Sequence, residues 1–144
     1  MASKREQVID AVVTKMQATF PQATVLRNAA KPEGIGSHGL IVVRDGDPGD
    51  PEITMSPLTY IYEHRIPVEI AVNPTRIEDV ESTLDDMLVL LGQAIQADRT
   101  LGGLCDFADT EAPATEAIEA TGAVAARWGD AAVLAIYATA NPLT

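Results

Sequence analysis

The chain is poor in the residues from which small proteins build disulfides, thiolate metal sites and basic binding surfaces. Cys105 is the only cysteine among 144 residues, so no intrachain disulfide and no metal site made of several cysteines can form within one chain. Lys and Arg number 10 against 21 acidic residues, which gives a formal charge of −11. Such scattered cations argue against nucleic-acid binding, because phosphate contacts need clustered Lys and Arg.

Long hydrophobic runs are also absent. No segment approaches the roughly 18 apolar residues that a membrane helix needs, and the N-terminus lacks the apolar core of a signal peptide. We therefore expect no membrane partner and a reducing, intracellular site of synthesis. Hydrophobic residues still make up 47% of the chain, which predicts one domain over residues 1–144 with a core that needs no disulfides.

Residues 60–72 carry the clearest strand pattern. Apolar side chains occupy every second position of most of this run, whereas Glu63, Arg65 and Glu69 take the other parity. A period of two is typical of a half-buried strand. Pro67 cannot donate to a ladder, so we interpret it as the mark of a sheet edge or a bulge.

Two amphipathic helices are predicted, each with a capping box at its start. Ser3 and Glu6 precede a helix that ends before Pro21, and Thr75 and Glu78 precede a helix that ends near residue 97. The second helix has apolar residues at three- and four-residue steps, at Ile77, Val80, Leu84, Met87, Leu88, Leu91 and Ile95. Both apolar stripes need a sheet to cover.

The remaining segments complete an α-β-β-β-β-α-β-β order. Shorter strands are predicted at residues 23–28, 40–44, 52–55, 118–121 and 131–139. Residues 110–115 read as a linker and residues 128–130 as a turn. Residues 98–106 form a loop in which Gly102 and Gly103 allow positive φ and Leu101, Leu104 and Phe107 tuck against the core. This order predicts an α+β fold, an antiparallel or mixed sheet with two helices packed on one face.

The sequence offers no catalytic, cofactor or metal site that we would name. Residues 34–39 match Gly-x-Gly-x-x-Gly, but the strand before and the helix after that a dinucleotide needs are missing. His38 and His64 lack partners at metal-ligand spacing, and His64 shares the core parity of its strand, so we expect it to be buried and hydrogen-bonded. Ser37 is not in a nucleophile elbow, and Cys105 has no nearby base.

Asp45, Asp47 and Asp50 lie in a turn that suits a contact with a partner better than an ion site. Their spacing is similar to that of a calcium loop, but two prolines intrude and the closing Glu is missing. Turn chemistry runs throughout residues 45–51. We expect an exposed, mobile loop.

In element order the chain resembles the tail terminator proteins of long-tailed phages and phage-like gene transfer particles, of the lambda type. The likeness covers a capped N-terminal helix, a proline-entered strand at 51–55, the 60–72 strand ending in Glu-Ile-Ala-Val, and a long acidic helix. Trp128 precedes Ala-Val-Leu-Ala-Ile-Tyr at 132–137, which is similar to the family's final strand, and residues 98–106 are similar to a stretch in closer relatives. The longer loop at 29–39 and the Ala-rich segment after Pro113 depart from the family.

The resemblance implies a structural protein of virion assembly and no enzyme. Its copies form a ring of six that caps the tail-tube protein, stops its polymerisation and presents a surface to the head connector or stopper. Such a ring sits in the neck of the particle tail and assembles in the host cytoplasm. Loop residues Arg44, Asp45, Asp47 and Asp50 are then the candidate contact with a tail partner, and their carboxylates imply a basic partner surface.

Two other functions remain open on the sequence. Another head-to-tail joining component, a stopper or a subunit like the tail tube, would share the same architecture. An acyl-group transferase is more distant, because it needs a nucleophile, a base and a cofactor cradle, none of which occurs at usable spacing.

Overall fold

A six-stranded mixed sheet with two helices on one face forms the fold. The computed structural model describes residues 2–29, 35–36, 38–73, 80–118 and 126–144, with the backbone alone described at 116–118. The elements in order are α1 Lys4–Thr19, β1 Thr24–Arg27, β2 Leu40–Val43, β3 Glu52–Thr54, β4 Thr59–Val72, α2 Val80–Ala97, β5 Phe107–Ile118 and β6 Ala126–Thr139. The predicted α+β class and element order are confirmed.

The strands lie in the order β1-β2-β4-β6-β5, with β3 also paired to β4. Only β1 and β2 run parallel; the other pairs are antiparallel. Because β6 pairs with β4 from Tyr60 to Val72, β2 and β3 must share the opposite side of β4. There β2 faces residues 68–71 and β3 faces residues 59–61. Residues 44–51, here called loop 44–51, span the gap between β2 and β3.

Pro67 lies in the middle of the sheet, so its interpretation as an edge marker is wrong. It pairs with Ala132 of β6, while its carbonyl accepts a hydrogen bond from the Arg44 N–H at 2.9 Å. The N–H and C=O of one antiparallel residue point the same way, so the proline nitrogen faces loop 44–51, where β2 has already ended. The missing donor therefore interrupts no regular ladder.

The core fills the space between the helices and one face of the sheet. Alternation along β4 places Tyr62, His64, Ile66, Val68 and Ile70 on this face, all buried. Of the stripe predicted for α2, Val80, Leu84, Met87, Leu91 and Ile95 are buried and Leu88 is partly buried. Helix α1 buries Val8, Ile9, Val12 and Met16. A smaller cluster, built on Leu40, Val42, Ala71 and Trp128, covers part of the opposite face.

The predicted helix starts are confirmed only in part. Ser3 caps α1, since its side chain accepts from the Glu6 N–H at 3.2 Å. The Glu6 carboxylate, the partner expected to close the capping box, is instead directed to Arg27, at 2.5 and 2.8 Å. Thr75, Glu78 and Ile77 lie outside the described residues.

The last two strands differ most from the prediction. Residues 110–115, expected as a linker, belong to β5, which contains a bulge between Glu111 and Ala114. Residues 128–130, expected as a turn, belong to β6. Of the strand predicted at 118–121, Ile118 is the last residue of β5, and residues 119–121 lie outside the described residues. Gly129 lies beneath α2, where an added Cβ would come within 3.2 Å of Leu84 Cδ1.

The 98–106 loop is largely as predicted. Gly102 and Gly103 have φ of +72° and +90°, and Leu101 is buried while Leu104 packs against the core. Phe107 is exposed, contrary to expectation. The Arg99 guanidinium lies 5.0 Å from the centre of its ring, which partly shields it from water.

Candidate functional site

Loop 44–51, the predicted contact segment, is attached to the core by a fully buried histidine. His64 Nε2 lies 2.6 Å from the Asp45 carbonyl and Nδ1 lies 2.8 Å from the Tyr137 hydroxyl. A carbonyl can only accept, so Nε2–H donates to Asp45 and Nδ1 accepts from the Tyr137 O–H. Burial lowers the pKa of His64 and raises the pKa of Tyr137 to about 12. The expected buried, hydrogen-bonded histidine is confirmed.

The Asp45 side chain links the same loop to α1 and β1. Arg27 Nε donates to Asp45 Oδ1 at 2.8 Å, and the other guanidinium nitrogens reach both Glu6 oxygens and, at 3.4 Å, Asp10. The Asp45 N–H donates to Asn28 Oδ1 at 2.9 Å. Hydrogen bonds from Arg27 lower the pKa values of Asp45 and Glu6. One arginine therefore joins three segments that are distant in sequence.

Arg44 and Gly46 complete the attachment. Arg44 donates to the Ala29 carbonyl at 2.6 Å and to Glu69 at 3.0 Å. Gly46 has φ of +64°, and a Cβ there would lie 2.0 Å from the Arg65 carbonyl oxygen, so no residue with a side chain fits without a backbone shift. The expectation of an unconstrained turn is wrong for residues 44–46.

Asp47 and Asp50 are the two predicted contact residues that remain exposed. Asp47 forms a β-bridge with Arg65, and its Oδ1 accepts from the Gly49 N–H at 2.8 Å. That bond shapes the turn and leaves the carboxylate at the surface. The side chains of Arg44 and Asp45 are used in bonds within the chain. Of the four residues predicted to contact a partner, Asp47 and Asp50 are therefore the ones whose carboxylates remain available at the surface.

The segment that follows exposes apolar side chains and is here called the 52–60 hairpin; it comprises β3, the turn and the start of β4. Ile53, Met55 and Leu58 are 53%, 74% and 45% exposed. Strand β3 pairs with β4 on one edge, and within the described part of the chain no strand pairs with its other edge. Apolar surface of this kind marks interaction sites more often than scattered single residues do.

Sequence reasoning placed the strand at 52–55 correctly but did not identify its exposed side chains as a site. Ile53 and Met55 share one parity, which is also the pattern of a half-buried strand. In the structure Ile53 lies in β3 and Met55 in the turn that follows, and both side chains are exposed. The Arg27 network carries no sequence signal, because its members belong to different elements.

The reactive residue types are held in unreactive settings. Cys105 is buried, with Sγ 3.6 Å from the Arg99 carbonyl, and burial raises the pKa of its thiol, which disfavours the nucleophilic thiolate. His38 is exposed, whereas Ser37 lies outside the described residues. Among the residues that the structure describes, no three His, Cys, Asp or Glu side chains are grouped as a metal site requires.

No protein-family model matches this chain, and no curated protein is significantly similar to it in sequence. None of the described helices is both long and apolar enough to cross a membrane. A function is therefore inferred from the surface of the chain itself and from the resemblance in element order.

Proposed function

We propose that this protein is a structural subunit of a phage-like tail, a tail terminator. Its copies form a ring, six in number, that caps the tail tube, stops polymerisation and joins the tube to a head connector or stopper. The observation that carries the proposal is the exposed apolar 52–60 hairpin beside a loop fixed by buried hydrogen bonds. This combination is typical of a surface built to contact another protein.

A fixed contact surface has a physical advantage for assembly. Ordering a flexible loop on binding costs conformational entropy, about 1–2 kcal/mol per residue for the backbone alone. His64 and Arg27 already hold residues 44–46 in the isolated chain, so that cost is met during folding. Affinity then depends on the contacts themselves.

The elements on which the resemblance is based support the proposal. The chain has the Ser3-capped α1, the short β3 after Pro51, the long β4, the acidic α2 and a final strand that contains Trp128. Their order is the one that the terminator family implies. The shared element order supports a common architecture. The partners named in this proposal are those that the resemblance to the terminator family implies.

A ring also needs more than one contact patch on each subunit. Head-to-tail closure uses two different patches, and capping a tube uses a third. Exposed large apolar side chains occur on the hairpin, on the outer face of α2 at Val89 and Leu90, and at Phe107 of β5. These positions belong to three different elements, which supports a subunit with more than one contact patch.

The alternatives differ in what the protein does to a growing tube. A tube-like subunit would itself polymerise into tubes, and a stopper would bind the connector without shortening tubes. An acyl-group transferase requires a reactive nucleophile, whereas burial disfavours ionisation of Cys105. The described surface favours assembly over chemistry.

Tube length in a polymerisation reaction tests the proposal. Tail-tube protein of the particle that encodes this chain is allowed to polymerise with increasing amounts of the purified chain, and lengths are measured by negative-stain electron microscopy. We expect shorter tubes with rising concentration, whereas heat-unfolded protein has no effect. Unchanged lengths at saturating protein would contradict termination, and tubes built of this chain alone would favour the tube-like alternative.

A further inference from the structure

The 52–60 hairpin exposes apolar side chains in a region that also carries exposed carboxylates. Ile53, Met55 and Leu58 supply an apolar tip. Glu52 pairs with Ile61, two positions before Glu63, so both carboxylates lie on the sheet face that carries no helix, whereas Ile53 pairs with Tyr60 and lies on the other face. Glu52 and Glu63 are exposed, as are Asp47 and Asp50 of the adjoining loop. Four exposed carboxylates therefore belong to the hairpin and to the segments next to it.

A second copy of this chain is poorly suited to bind these carboxylates. Eight basic residues are described, and six of them already pair with carboxylates of the same chain: Lys15, Arg27, Arg44, Arg65, Arg99 and Arg127. Of the eight described basic residues, only Lys4 and Arg5 have no ion pair. With a formal charge of −11, a facing copy would bring like charges together, which costs binding energy.

We infer that the 52–60 hairpin docks into a different protein, one that presents an apolar pocket rimmed by Lys and Arg. Burial of Met55 and Leu58 supplies the hydrophobic contribution, and Asp47, Asp50 and Glu52 select the basic rim by charge complementarity. This inference rests on the proposed function, in which that protein is the tail-tube subunit. The ring contacts between copies then lie elsewhere, on the patches of α2 and β5.

The test uses preformed tubes of tail-tube protein and two pairs of variants. Met55→Ser with Leu58→Ser removes the apolar tip, and Val89→Ser with Leu90→Ser changes the α2 patch that is assigned to contacts between copies. Asp47→Asn with Asp50→Asn removes two charges while keeping the turn bond to Gly49, and Asp85→Asn with Asp86→Asn is its control. Co-sedimentation at low and high salt measures binding, and light scattering measures self-association.

The tip variant is expected to bind tubes about tenfold more weakly or worse, the size of a hot-spot loss. The charge variant is expected to bind more weakly at low salt and to lose part of the salt dependence shown by the wild type. Self-association is expected to be unchanged in the tip and charge variants and to be weakened in the α2 variant. Circular dichroism confirms that each variant is folded.

Several results would overturn the inference. Tube binding by the tip variant equal to that of the wild type removes the hairpin from the interface. Loss of self-association in that variant alone makes the hairpin a contact between copies. Binding that strengthens with salt in the wild type excludes a basic partner surface. Failure of the proposed function gives a different result. If the wild-type chain binds tubes through the hairpin but does not limit their length, termination is refuted and docking through the hairpin is still supported.

Discussion

At the scale of single residues, His64 connects the stability of the fold to pH. Its ring is fully buried and accepts one hydrogen bond while donating another. Burial places its pKa in the folded protein below the usual value of 6.5. Arg5 opposes protonation, whereas the Asp45 carbonyl and the charges of Asp45 and Asp47 favour it. Desolvation is the largest of these effects, so the neutral ring is the folded form.

A depressed histidine pKa means that the unfolded chain binds more protons than the folded one. Stability is therefore fully present above pH 6.5 and falls as the pH drops below it. Urea denaturation at pH 7.5 and 5.5 is expected to show this fall in the wild type and not in His64→Leu. Glu6 and Asp45 act separately, since their lowered pKa values matter only below about pH 4.5.

The same denaturation experiment can contradict this account in two ways. A wild-type free energy of unfolding that is constant over this range would contradict the neutral, buried histidine. So would a fall that persists undiminished in His64→Leu.

Arg27 and Arg65 provide a second comparison at the residue scale. Arg27 contacts three carboxylates and has a side chain that is 26% exposed, whereas the Arg65–Glu111 pair is about half exposed on both sides. Arg27→Met is expected to lower the free energy of unfolding by about 1–2 kcal/mol, and Arg65→Met by less than about 0.5 kcal/mol. Chemical denaturation at pH 7 measures both, and equal losses would show that the Arg27 network holds nothing together.

At the scale of elements, α2 was predictable because its signal is local. Its apolar positions recur every three or four residues, and that spacing alone fixes which face packs on the sheet. Strand β5 was not predictable in the same way. Pro113 and neighbouring small residues read as a linker, and only pairing with β6 around a bulge makes them a strand. The pairing is between distant residues, so no window of sequence contains it.

In the candidate site too, features set by local sequence were predictable and contacts between distant residues were not. The turn chemistry of residues 45–51 placed loop 44–51 at the surface next to the sheet. It did not reveal that Asp45 binds Arg27 or that His64 holds the Asp45 carbonyl, because those partners come from other elements. Gly129 likewise read as a turn residue, although its lack of a side chain accommodates Leu84 of α2.

Packing of α2 on the sheet yields a prediction with a matched control. Leu84 is buried in the core and Leu90 is exposed on the same helix. Leu84→Asp puts an unpaired charge into the core and is expected to cost at least about 3 kcal/mol, whereas Leu90→Asp is expected to cost less than about 1 kcal/mol. Thermal and urea unfolding measure the two. A loss below about 1 kcal/mol for Leu84→Asp would show that the helix face is assigned wrongly.

At the scale of the whole molecule, the formal charge of −11 is not balanced by free cations. Most described cations are paired with carboxylates of the same chain, and the unpaired acidic excess favours solubility. In the proposed ring, contacts between copies rely on apolar patches. Symmetry multiplies each such patch, so weak contacts of single subunits would add up around that ring.

Imaging of tube ends tests the central claim most directly. Tail tubes incubated with the purified chain are averaged by electron microscopy, with tubes alone as the reference. The account predicts an added ring of six copies, about 92 kDa for chains of 15.3 kDa, at one end of each tube and nowhere along its wall. Bare ends at saturating protein, or density spread along the wall, would contradict it.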